Sequence, residues 1–209
     1  FLIAAAILLL TFGGPWAIPY GMAILSLVPL LAGTVSYNSD ALSQPVGGSF
    51  DLDAGLDDGV VSISPLDLDT NVGRLTATGT FARDGSSMDL GVESTHGLES
   101  VASVLGLAGL TGTVSLSIDA EGSFESPLYS AHVTGDAIAY GSVNASRVDT
   151  RVHGDLSVVY VDTLLVRGFG GRLAGSGSVR FGGRETGFPA IESDLSFDDV
   201  SLADLAEAR

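Results

Sequence analysis

The feature that most constrains this chain is a period-two alternation of apolar and polar residues that recurs from about residue 50 onward. Phe50, Leu52 and Ala54 interleave with Asp51 and Asp53. Leu66 and Leu68 interleave with Asp67 and Asp69, and Leu75, Ala77, Gly79 and Phe81 with Arg74, Thr76, Thr78 and Thr80. Val114, Leu116, Ile118 and Ala120 interleave with Thr113, Ser115, Ser117 and Asp119. Successive side chains of a strand point to opposite faces, so each run predicts a half-buried strand. Gly, Asp and Ser separate the runs. The expected fold is mainly β: repetitive antiparallel strands forming an elongated curved sheet or a taco-shaped open groove.

Two segments break the alternation. Gly97 to Leu107 places Leu98, Val101, Ala102 and Leu105 at helical spacing, and Ser201 to Arg209 does the same with Leu202, Leu205 and Ala206. Ser201 and Asp204 have the spacing of a capping box. Both segments predict short helices between strand runs.

The N-terminal end is different. Residues 1–33 carry no charge, and Gly13, Gly14, Pro15 and Pro19 interrupt them. A spanning helix needs about 20 apolar residues, so two full spans do not fit. The readings are one spanning helix with an apolar extension, a truncated span followed by a turn and a second short segment, or a signal peptide or buried segment. Trp16 and Tyr20 suit a membrane interface. The expected organisation is a membrane anchor over 1–33, a polar linker over 34–48 and a repetitive β-domain over 49–209, a piece of something longer.

The β-domain contains a duplication. ISPLDLDTNVGRLTATG, from Ile63, aligns without gaps with VDTLLVRGFGGRLAGSG, from Val161. The alignment matches Leu66 with Leu164, Gly73 with Gly171, Arg74 with Arg172, Leu75 with Leu173 and Gly79 with Gly177. A polar turn, a strand and a short helical pattern follow each copy. Such units cannot bury an apolar face alone and must stack on neighbours. The small residues of the apolar face, such as Gly79, Gly175 and Gly177, fit either a smooth wall that a ligand approaches closely or sheet bulges and curvature.

Composition excludes several functions. Nine cationic residues, all Arg, stand against 25 carboxylates, a net charge of −16. That argues against nucleic acid and against an electrostatic hold on anionic lipid. With no Cys, thiolate metal sites and disulfides are impossible. His96, His132 and His153 lie in separate segments, without paired metal-ligand spacing. Asp57–Asp58 and Asp198–Asp199 are adjacent pairs, which on a strand point apart. GFGG at 168–171 is no phosphate loop in a chain without Lys, and the Asn144–Ala145–Ser146 sequon is too short a match to carry weight. No catalytic residue, metal site or cofactor is expected, and the chain does not read as an enzyme.

The run from Gly106 to Leu156, with LLVRGFGGRLAGSGSVRF (Leu164–Phe181) and DLSFDDVSLADL (Asp194–Leu205), resembles the repeats of the AsmA-like and TamB proteins. The likeness rests on G-x-F-x-x-P-x-Y at Gly122–Tyr129 and on G-x-L-x-x-x-G at Gly73–Gly79 and Gly171–Gly177, and it covers roughly residues 48–209. It implies an inner-membrane anchor, a periplasmic β-groove, phospholipid as cargo, a place in outer-membrane biogenesis, and an outer-membrane barrel protein as a further partner. The broken N-terminal segment and the missing basic flank depart from that pattern. A groove would be lined by Leu75, Ala77, Phe81, Val114, Leu116, Ile118, Leu173 and Val179. The alternative is a structural or adhesive β-solenoid in which the same residues form a closed core. An outer-membrane barrel fits poorly, because only 7% of residues are aromatic.

Overall fold

The computed structural model describes residues 31–37, 42–141, 143–168, 170–181 and 190–199. They form one eleven-stranded sheet whose strand order is the chain order, β1 through β11. The strands are β1 (Leu31–Tyr37), β2 (Val46–Asp57), β3 (Val60–Thr70), β4 (Gly73–Ala82), β5 (Met88–Gly97), β6 (Leu110–Ser123), β7 (Ser126–Tyr140), β8 (Val143–Gly154), β9 (Val158–Gly168), β10 (Gly171–Arg180) and β11 (Ala190–Asp198). Every pairing is antiparallel, and among the described residues β1 and β11 are free edges. The one described helix, α1 (Leu98–Leu105), connects β5 to β6. The mainly-β, antiparallel, open sheet is as the alternation predicts.

Local chemistry explains the connections. Asp58 (φ 45) and Gly59 (φ 79) both take positive φ in a two-residue hairpin loop, the geometry that matches strand twist. Between β8 and β9, the Asp155 carboxylate accepts the N–H groups of Ser157 (2.6 Å) and Val158 (3.0 Å). Those two bonds hold its pKa below the ordinary carboxylate value.

The linker expected over 34–48 is sheet at both ends, over 34–37 and 46–48. Gly33 pairs with Phe50, Ser36 with Gly47 and Tyr37 with Val46, so β1 continues the ladder past β2. Before β2 the described residues 42–45 are not strand, and there the Ser43 N–H donates to the Val104 carbonyl of α1 (2.7 Å). Leu31 to Gly33, assigned to the anchor by composition, belong to β1. The rest of the 1–33 segment lies outside the described residues, as does the helix expected over 201–209. No described helix is long and apolar enough to cross a membrane.

The duplication is structural. β3 and β9 begin 98 residues apart (158 − 60), and so do β4 and β10 (171 − 73). The repeat unit is therefore six strands. Each copy carries the same irregularity: Ile63 and Leu66, three residues apart, both face the apolar side, as do Val161 and Leu164. An extra residue at that point bulges the strand and preserves its facing. Phe81 pairs with Met88 whereas Val179 pairs with Ile191, so the second copy carries five more residues in that connection.

Candidate functional site: the apolar face of the sheet

Antiparallel partners share a face, so register assigns every side chain. One face reads Leu68–Leu75, Leu66–Ala77–Val92–Ile118–Ala131–Val152–Val161 and Val166–Leu173–Phe197 across successive strands. The opposite face carries Asp67, Asp69, Glu93, Asp119, His132, Asp149, His153, Asp162 and most of the arginines.

The eight residues expected from the sequence all lie on the apolar face, in two places. Ala77, Phe81 and Ile118 belong to the buried cluster with Leu52, Ile63, Leu66, Val92 and Phe124, and Leu75 and Leu116 pack against it. Val114 is half-buried beside them. Leu173 and Val179 stand four strands further along, half-buried on β10.

Exposure on the apolar face is lowest in the middle of β2 to β6 and higher toward β11, although Leu56 at the turn end of β2 is 63% exposed. Leu66 is 1% exposed and Leu52 2%. The apolar residues of β8 through β10 are mostly half-buried, and on β11 Ile191 reaches 69% and Phe197 63%. Two devices close off the first copy. The β6–β7 turn sets Phe124 edge-on against Phe81, with ring centroids 5.8 Å apart, while its N–H donates to Gly85 O (3.0 Å). At the other strand end α1 buries Ala102 and Val104 and ties to the β1–β2 connector. No described residue does the same for β8 through β11.

Sequence reasoning overlooked β8, β9 and β11 as lining elements. The bulge at Asp162–Thr163 puts Val161 and Leu164 out of strict alternation, which hides the face; the matching slip at Ile63–Leu66 was the available signal. Of the two readings of the glycines, bulges find support: Gly175 and Gly177 flank the register shift between β9 and β10, and Gly79 flanks the one between β3 and β4. A Cβ at Gly79 or at its equivalent Gly177 would run into the carbonyl of Asp89 or Glu192 on the adjacent strand. These glycines answer a close backbone approach.

The polar face is a solvated ladder. Thr76 Oγ1 donates to Asp67 (2.7 Å), Arg74 pairs with Asp69 (3.2 Å), His132 with Asp149 (3.0 Å) and His153 with Asp162 (2.8 Å). His153 also stacks on Tyr160. On the apolar side, burial raises the Tyr129 phenol above its ordinary value, and the nearby Asp155 charge adds to the shift. No described cluster of three His, Asp or Glu side chains is placed to hold a metal ion. Among the described residues the face offers apolar contact area and no hydrogen-bonded nucleophile–base pair, the His96 ring being engaged by the Val72 carbonyl. No protein-family model, curated protein or solved structure matches the chain.

Proposed function

We propose that this chain binds phospholipid acyl chains along the apolar face of its sheet, curved into an open groove, and conducts them between the inner and outer membranes of a diderm cell. Residues 1–33 anchor it in the inner membrane as a single pass, the bulk stands in the periplasm, and the transfer contributes to outer-membrane biogenesis, with a barrel protein of that membrane as a further partner. The protein is no enzyme: apolar transfer needs no reacting group.

One observation carries the reading. Among the described residues the apolar face is continuous across the strands from β2 to β11, and its side chains pass from buried in the β2–β6 cluster to solvent-facing on β11. Each methylene of an acyl chain costs about 0.8 kcal/mol in water, a cost an apolar strip removes while the head group stays hydrated. The residue pattern shared with the AsmA-like and TamB repeats supports the same conclusion. Within the groove, Leu173 and Val179 with the β8 and β9 valines hold the guest, while Ala77, Phe81 and Ile118 form the packed end.

A second reading has its own support. The near-complete burial of Leu52 and Leu66 is what a structural protein with a closed core requires. Its core would be a folded antiparallel meander, since each strand pairs only with chain neighbours, unlike a solenoid coil. Mass spectrometry of protein purified without detergent separates the two. Bound phospholipid, lost in Leu173→Asp with the β-signal retained, supports the groove. A lipid-free native protein supports the closed core.

A further inference from the structure

The polar face of the second copy carries a row of arginines that the first copy lacks. Arg147 on β8, Arg167 on β9 and Arg172 on β10 are direct cross-strand partners. The row continues to Asp136 on β7 and Asp198 on β11. Strands lie about 4.8 Å apart, so the Cα atoms of three arginines form a row about 10 Å long on one face of a chain of net charge −16.

The repeat shows what has changed. The corresponding row of the first copy is Ser49–Asp69–Arg74–Thr95. There Asp69 and Arg74 form an ion pair of 3.2 Å. Shifted by 98 residues, Asp69 becomes Arg167 (69 + 98) and Ser49 becomes Arg147 (49 + 98). One row along, the Asp67–Thr76 hydrogen bond has its counterpart in Leu165 and Ala174. The carboxylate that satisfied the arginine has been replaced by a second cation, and the acids of the row, Asp136 and Asp198, stand at its two ends where the first copy has Thr34 and Thr95.

The remaining acids do not fill the gap. Arg147 lies 3.7 Å from Asp136 and 3.9 Å from Asp149. Among the described residues, the side chains of Arg167 and Arg172 have neither an ion pair nor a hydrogen bond, although Asp198 is opposite Arg172 in register. Like charges directly opposite destabilise a sheet, so adjacent unpartnered arginines are a local cost that an anion bound between them would remove. The guanidinium fork matches phosphate oxygens two at a time.

We propose that Arg167 and Arg172, flanked by Arg147, form a binding site for a phosphate group. The site is on the face opposite the proposed groove and does not depend on it. The phosphate belongs either to a lipid head group or to a free phosphate compound.

The test uses the whole chain with inorganic phosphate, sodium chloride at matched ionic strength, and vesicles of phosphatidylglycerol against phosphatidylcholine. Phosphate is expected to raise the melting temperature of the parent protein above the chloride control. Arg167→Gln should weaken that effect about tenfold, the loss of one charged hydrogen-bonding pair. Arg167→Asp, which restores the Asp–Arg pair of the first copy, should abolish it while melting no lower than the parent without phosphate. Arg151→Gln, further along β8, should leave it intact. Binding to phosphatidylglycerol vesicles but not to inorganic phosphate, lost in Arg167→Gln, assigns the site to a head group; the converse assigns it to a free phosphate. A chloride effect equal to the phosphate effect together with no Arg167-dependent vesicle binding overturns the proposal, as do Arg167 variants that bind like the parent.

Discussion

Leu66 and Leu164 occupy equivalent positions, 98 residues apart (164 − 66), on the same face and beside the same bulge. Leu66 is 1% exposed inside the first-copy cluster, whereas Leu164 is half-buried. Truncating each to Ala therefore measures how differently the two copies are covered. Removing a fully buried Leu forfeits its transfer energy and leaves a cavity, about 3 kcal/mol in total. Leu164 keeps contact with solvent, so its truncation leaves no sealed void and costs about 1 kcal/mol. For a chain of this size each kcal/mol moves the melting temperature by about 2–4 °C. Leu66→Ala should then melt roughly 6–12 °C lower and Leu164→Ala roughly 2–4 °C lower. Urea titration of both variants, followed by the β-sheet circular dichroism signal, gives the two free energies directly. Equal costs near 3 kcal/mol would instead mean that the second copy is packed as tightly as the first.

Other consequences follow from single contacts. Phe124→Ala should cost about 3–4 kcal/mol by urea titration, since it removes a 4%-exposed ring from its edge contact with Phe81. Gly79→Ala should destabilise by about 2 kcal/mol or more, because φ is 139° there and the adjacent strand's carbonyl occupies the space of a Cβ. Arg74→Gln should change stability by less than about 1 kcal/mol, as both partners of its ion pair are well exposed. Asp155→Ala should be less stable than the parent at neutral pH. The folded carboxyl titrates below its unfolded value, so its stabilisation is present above the ordinary carboxylate range and lost as the pH falls through the depressed folded value. The two unfolding curves should converge in acid.

Much of the fold is visible in the residues. The Gly–Arg–Leu starts of β4 and β10 mark the strand ends, and the helical spacing after Gly97 locates α1 to within a residue or two. β1 is hidden because its alternation is carried by Gly, Thr and Ser beside a long apolar run, so only its pairing with β2 reveals it. The apolar face is legible from alternation, but the bulges conceal its continuation through β9. Its covering is not legible at all. Alternation says which way a side chain points, and Phe124 and α1, which come from connections, decide whether water reaches it. The arginine row is equally hidden, because Arg147, Arg167 and Arg172 become neighbours only through register.

Site-specific photocrosslinking reads out which face of the sheet lipid occupies. A benzophenone side chain placed at Val179, on the apolar face of β10, is compared with one at Ser178, the next residue on the opposite face, in protein purified from cells without detergent. The expected result is phospholipid adducts from position 179 and none from 178. Equal labelling at both positions, or none at 179 in folded protein, would contradict it.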